Sequence, residues 1–197
     1  MDVIIREYEK SDEYAWLICR LEAFIDSSYF DDVKTRVEVY KGETISLVAE
    51  CGGRLVGFVE AEIDSDSLQK SYEGRGAVLW NLGVIKAYRN LHIASMLWKE
   101  LLHRLKCAKV AYCEVWTQQD EPANGFYQNA GFSLVPSKNW LRCRISGKRS
   151  ADYLNASKVE DIYGVEEIIL EAPTEQLKKW QEVCSRIDEV RLYAIKF

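Results

Sequence analysis

No Cys-x-x-Cys pair occurs in this chain, although it carries six cysteines, Cys19, Cys51, Cys107, Cys113, Cys143 and Cys184. That absence argues against zinc and thioredoxin-type chemistry, and no metal site is expected. No run is long and apolar enough to span a bilayer. The stretch Met1 to Glu7 lacks the long apolar core of a signal peptide. Without secretory context the cysteines read as reduced, mostly buried thiols of a cytoplasmic protein, and no membrane partner is expected. A basic excess is missing too: 26 Lys and Arg stand against 31 Asp and Glu, a formal net charge of −5. This balance argues against a nucleic-acid surface and suits a cationic partner. There is no repeat and no low-complexity tract. What remains is globular composition, 48% hydrophobic and 29% charged, in a length that supports one sizeable core.

Two stretches carry chemical information. The first begins with Ala77-Val78-Leu79-Trp80-Asn81-Leu82-Gly83-Val84, a largely apolar run that reads as a central strand. A polar turn follows, and from Ile93 onward Ile93, Leu97, Leu101 and Leu105 recur at helical spacing. The turn leaves backbone N–H groups without internal partners at a helix N-terminus, where the dipole favours an anion. Arg89 adds a positive charge able to grip a phosphate. An ordinary strand–turn–helix crossover is the alternative for this stretch taken alone.

The second stretch runs from Asp120 to Phe132. Asp120 suits an N-cap, Glu121 the first turn, Pro122 the first helical position and Gly131 a left-handed C-terminal cap. Ala123 and Tyr127, four apart, share one helix face. A short capped helix with a core tyrosine is the alternative reading.

The two stretches, in this order and separated by one strand, resemble the GCN5-related N-acetyltransferases, the GNAT family. The usual phosphate signature there is Arg or Gln, two residues, Gly, one residue, then Gly or Ala. Arg89 and Ala94 match its ends, whereas His92 and Asn90 stand where glycines are common. Ala123, Phe126, Tyr127, Gly131 and Phe132 match the second pattern, with Asp120 in place of Asn.

The resemblance implies transfer of an acetyl group from acetyl-CoA to a primary amine of a small molecule or peptide, by direct attack. It implies Tyr127 as the acid that protonates the departing thiolate. Cofactor-binding positions carried over are Leu82, Gly83, Val84, Arg89, Asn90, Leu91, His92, Ile93, Ala94, Ser95, Asp120 and Ala123, with the backbone near Leu82 polarising the thioester carbonyl. A base is also required. A strand Glu common in the family is absent, since Trp80 and Asn81 occupy that neighbourhood. The remaining strand carboxylates are Glu60, Glu62 and Glu114; Glu62 and Glu114 are taken as catalytic candidates. Glu60 and Glu62 share a face that also reads as simply solvated. The alternative function is a non-catalytic acyl-CoA-binding or sensor member of the same fold.

The order of elements fits an α/β (α+β) fold, a GNAT-like mixed central sheet flanked by helices, over residues 1–147. Val3 to Arg6 reads as a strand, Ser11 as the cap of a helix bearing Trp16, Leu17, Leu21 and Phe24, and Tyr29 to Val39 as a second helix. Thr44 to Glu50 and Leu55 to Ile63 flank a Gly52-Gly53 turn, and Asp64 to Arg75 reads as a loop. Lys109 to Thr117 is the next strand. Phe132 to Pro136 and Trp140 to Ile145 read as a closing hairpin. After a polar connector, residues 148–197 form a strand–helix–strand extension: Val165 to Leu170, a Thr174-capped helix with Leu177, Trp180, Cys184 and Ile187, and Val190 to Phe197. So small a unit cannot bury its apolar face alone, so it must pack on the main sheet or on a homodimer mate.

Overall fold

The computed structural model describes residues 2–147 and 166–197. Two compact units emerge. Among the described residues, the first holds 2–116, 120–134 and 193–197, and the second holds 117–119, 135–147 and 166–192.

The first unit is built on strands β1 (Val3–Glu7), β2 (Glu43–Cys51), β3 (Arg54–Ile63), β4 (Gly76–Val84) and β5 (Tyr112–Gln118), with helices α1 (Glu13–Phe24), α2 (Ile93–Cys107) and α3 (Glu121–Asn129). β1 to β4 pair antiparallel in chain order, and β4 pairs parallel to β5. The sheet is therefore mixed. β3 is buried along nearly its whole length because helices cover both its faces. Successive residues point to opposite faces. Phe58 meets Trp16 and Phe24 of α1, while a side chain added at Gly57 would meet Ile93 and Leu97 of α2. The expected helical stripe Ile93, Leu97, Leu101 and Leu105 is fully buried. Gly52 and Gly53 sit at φ 58° and 78°, the left-handed geometry that a tight hairpin turn demands.

Residues Tyr29 to Val39 form turns and irregular chain, not the expected helix. The Ser27 hydroxyl accepts from the Tyr29 N–H, and the Arg20 guanidinium takes both the carbonyl and the carboxylate of Asp32. These bonds hold the backbone open, and the β-branched Val33, Thr35, Val37 and Val39 do little to resist.

The closing hairpin is also replaced. In the first unit, β6 (Ser133–Leu134) pairs with the end of β9 (Arg186–Lys196), through Ser133↔Ala194 and Leu134↔Tyr193. In the second, β7 (Trp140–Ser146) pairs with β8 (Glu167–Pro173) on one side and with Arg186–Val190 of β9 on the other. Pro136 offers no N–H to a ladder, and the longer β9 is the better partner for both short strands. The expected tail helix is only α4 (Leu177–Gln181), because the N–H groups of Val183 and Cys184 both turn back to the Trp180 carbonyl. Thr174 does not cap it, Ile187 lies in β9, and Val165 lies outside the described residues. Leu141, Cys143 and Ala172 form a small core of their own in the second unit. Among the described residues no helix is long and apolar enough to cross a membrane, and none forms a metal-ligand cluster.

Candidate active site

The parallel ladder between β4 and β5 runs from Gly76↔Tyr112 to Leu79↔Val115 and stops there, although both strands continue. Just beyond, Trp80 is an extra residue on β4: Glu60 faces Asn81 while Ala61 faces Leu79. Such a bulge increases twist and turns a strand away from its neighbour. Leu82, Gly83 and Val84 keep β3 as their partner on one side. Among the described residues, no strand pairs with their other edge, so an extended ligand can add there as a strand would. Gly83 has no room for a side chain, since an added Cβ would lie 2.5 Å from the Phe58 ring.

The chain then turns into α2. Asn90 and His92 both adopt φ near +60°, at 62° and 60°. These are the two positions where the family pattern places glycine, and Asn and His are among the side chains that tolerate this region best. Among the described residues, the N–H groups of Asn90, Leu91, His92, Ile93, Ala94 and Ser95 donate to no protein acceptor; helical donation starts with Met96 to the His92 carbonyl. A row of unpaired donors at a helix start attracts an anion. The Arg89 side chain is placed differently from the expectation of a free phosphate grip. Its guanidinium binds both carboxylate oxygens of Asp26, at 2.7 and 2.9 Å, and the carbonyls of Ala23 and Val84. It clamps the end of α1 to the turn, and hydrogen bonds from Arg89 lead the causes that hold the Asp26 carboxyl below its usual range.

α3 forms as its capping residues require. Asp120 accepts from the Ala123 N–H, Pro122 sits in the first turn, and Gly131 takes φ 94° past the helix end. Asp120 and Ala123 thus satisfy one another rather than standing free. Asn124 is tied to the Asp120 carbonyl and accepts from the Tyr193 hydroxyl at 2.9 Å. Tyr127 is buried among Phe126, Phe132 and Tyr193. Its hydroxyl has no hydrogen-bond partner among the described residues. Burial pushes this phenol well above its ordinary pKa, with Tyr29, Cys113 and Asp120 adding in the same direction. It therefore stays protonated at neutral pH, the form a proton donor needs.

The three strand carboxylates are all buried, so the solvated face expected for Glu60 and Glu62 does not exist. Their partners separate them. Glu114 accepts from the Gln69 and Ser71 N–H groups, both at 2.7 Å, and pins the loop before β4. Glu62 accepts from the Gly42 N–H and the Trp80 indole; burial alone would raise its pKa, but bonds from Ser65, Gly42, Trp80 and Lys41 outweigh it and the pKa is lowered. Among the described residues, Glu60 has no backbone donor. It accepts from Asn81 at 2.8 Å and more loosely from Ser46 and Tyr40, at 3.4 and 3.5 Å, and burial pushes its pKa up to about 7. Tyr40 stacks on Trp80, with ring centres 5.7 Å apart. Glu60, Tyr40 and Ser46 escape a sequence reading as a group; the available signal is two glutamates in an otherwise apolar strand. A cavity of about 760 Å³, lined by Asp64, Tyr72, Glu73, Gly76 and Tyr112 among others, contains none of the three glutamates.

The model of the acetyltransferase (GNAT) family matches residues 1–132. The chain belongs to the GNAT acetyltransferase family. Solved members share its fold at low identity. An N-acetyltransferase from Staphylococcus aureus is 15% identical, with TM-score 0.58, covering 100% of this chain and 99% of that one. A GNAT acetyltransferase from Elizabethkingia anophelis, solved with acetyl-CoA bound, is 11% identical with TM-score 0.54, covering 99% and 98%. The PaiA N-acetyltransferase from Thermoplasma acidophilum, solved with coenzyme A, is 16% identical with TM-score 0.52, covering 68% of this chain and 91% of that one. No curated protein matches the chain. In this GNAT acetyltransferase the parted strands, the turn whose N–H groups lack acceptors among the described residues, and the Tyr127 helix follow one another along the chain.

Proposed function

We propose that the protein transfers an acetyl group from acetyl-CoA to a primary amine of a small molecule or peptide by direct attack. The observation that carries this reading is the opening of β4 from β5 after Leu79, together with the six consecutive N–H groups from Asn90 to Ser95 that have no acceptor among the described residues. Together they suit an extended, amide-bearing arm that ends in a pyrophosphate, which is the shape of coenzyme A. The acetyl-CoA bound to the Elizabethkingia anophelis neighbour supports the same cofactor.

In this reading Leu82 and Val84 offer backbone groups to the arm, and a backbone N–H near Leu82 polarises the thioester carbonyl. The backbone of Asn90 to Ser95 holds the phosphates, while Arg89 shapes the turn through Asp26. The neutral amine attacks the carbonyl carbon, the C–S bond breaks, and Tyr127 gives its proton to the thiolate.

A second reading, an acyl-CoA-binding member without turnover, draws support from the same tyrosine, whose hydroxyl sits in an aromatic core without a polar partner. The two are separated by melting the protein with and without millimolar acetyl-CoA, then assaying thiol release with a panel of amines. A raised melting temperature with amine-dependent thiol release fits the enzyme. A raised temperature without release fits the binder, and no rise at all defeats both.

A further inference from the structure

The carboxylate missing from the central strand has a replacement one strand away. We infer that Glu60 of β3 is the proton acceptor for the incoming amine, positioned by Asn81 and screened by the stacked Tyr40 and Trp80; this rests on the acetyl-transfer reading above. The bulge at Trp80 places Asn81 directly opposite Glu60 and begins the open segment of β4. Asn81 donates to Glu60 Oε2 at 2.8 Å and to the Tyr40 hydroxyl at 3.1 Å, so one amide orients both groups. Among the described residues, Glu60 Oε1 accepts only the long 3.4 Å contact from Ser46, which leaves it a lone pair for another proton donor. Glu62 and Glu114 lack that room, because backbone N–H groups occupy them.

The surroundings suit an ammonium group. Trp80 is partly exposed, its indole N–H is tied down by Glu62, and its ring lies flat on Tyr40. A stacked aromatic pair beside a carboxylate attracts a cation and holds it while it loses a proton. The groups that face Glu60 are Tyr40 and Glu38 from the segment before β2, Arg20 from α1, and Tyr8 from the turn after β1. Burial raises the pKa of Glu60 first and most, Glu38 adds to it, and Arg20 and the Asn81 bond oppose it.

The step balances as follows. One proton passes from the ammonium to the Glu60 carboxylate and then to solvent. The neutral nitrogen forms the C–N bond, the C–S bond breaks, and the thiolate takes the Tyr127 proton. The second nitrogen proton leaves as the amide forms and makes good the one that Tyr127 gave. Net, one proton is released per turnover.

The test is the pH dependence of acetyl transfer from acetyl-CoA to phenylethylamine, spermidine, lysine and an alanine-terminated peptide, for the parent and for Glu60→Gln. The parent should gain activity through an acidic limb near the pKa of about 7. Glu60→Gln should lose roughly 10²-fold in kcat at neutral pH and lose that limb, with acetyl-CoA affinity unchanged. Glu60→Asp should restore part of the rate, and Asn81→Ala should move the limb to higher pH because a bond favouring the charged form is gone. Melting curves show whether each variant is folded; if Glu60→Gln is not, Asn81→Ala carries the test. A parent that acetylates none of the amines sinks both the acetyl-transfer reading and this inference. A parent that turns over while folded Glu60→Gln, or Asn81→Ala in its place, keeps the parental profile sinks the inference alone.

Discussion

Two fully buried glutamates, each beside β4, sit in opposite chemical situations. Glu114 on β5 accepts two short bonds from backbone N–H groups of the loop before β4. Glu60 on β3 accepts one short bond from a side-chain amide and two long ones from hydroxyls. Burial costs both carboxylates their water. At Glu114 two short bonds from fixed backbone donors take its place. Where the donors are side chains at longer range, the charge is left partly unsupported and the group holds its proton to near neutrality. Burial raises a carboxylate's pKa to the extent that the donors folding supplies do not replace the lost water.

The sharpest break of this picture would come from the acid side of the reaction. Tyr127→Phe removes a hydroxyl that supports nothing else among the described residues, so the fold should persist. Turnover should fall by roughly 10²–10⁴-fold with acetyl-CoA affinity nearly unchanged. Steady-state kinetics with a binding titration decide it, and full turnover in a folded variant would make Tyr127 a core residue only.

Glu114→Ala tests the structural half of the comparison. It strands the two loop N–H groups and should cost about 2–4 kcal/mol in urea unfolding. A near-neutral result would remove the distinction drawn between the two glutamates.

Glu60 should make stability depend on pH. Its folded-state pKa lies above the unfolded one, so the folded chain holds a proton that the unfolded chain releases. Stability from this group is present below the ordinary carboxylate range and is lost as pH rises through about 7. Glu60→Gln does not titrate and should gain on the parent by up to roughly 3 kcal/mol between pH 4 and pH 8. Parallel melting-temperature profiles for the two would contradict the raised pKa.

Arg89→Ala and Asp26→Asn should weaken coenzyme A binding alike, each with about 1 kcal/mol of lost stability, if Arg89 works through its clamp. If Arg89→Ala weakens binding and Asp26→Asn strengthens it, the guanidinium leaves Asp26 to meet phosphate. The smallest effect belongs to His92→Gly, which relieves a φ of 60°. It should stabilise by well under about 1 kcal/mol and bind coenzyme A at least as well. Weaker binding would show that the imidazole contacts the ligand.

The turn into α2 and the capped helix α3 were readable in the chain because their determinants are local. Asp120 caps α3 through the N–H three residues on, and Gly131 ends it. The same holds for the strand–turn–helix around Arg89. The lost helix between Tyr29 and Val39 shows the limit: Arg20 captures Asp32 from another element and overrides the local pattern. β6 and β7 fail as a hairpin for the same reason, since both pair with β9, far along the chain.

By itself, then, the sequence determined the class of fold, the anion-attracting turn and the helix that carries Tyr127, because each depends on neighbours within a turn or two of chain. Only the tertiary structure decided which glutamate is left short of close donors. Asn81 is 21 residues from Glu60, and Gln69 is 45 from Glu114. The pKa of a buried carboxylate depends on which donors folding brings to it, and those contacts are set by sheet register rather than by spacing along the chain.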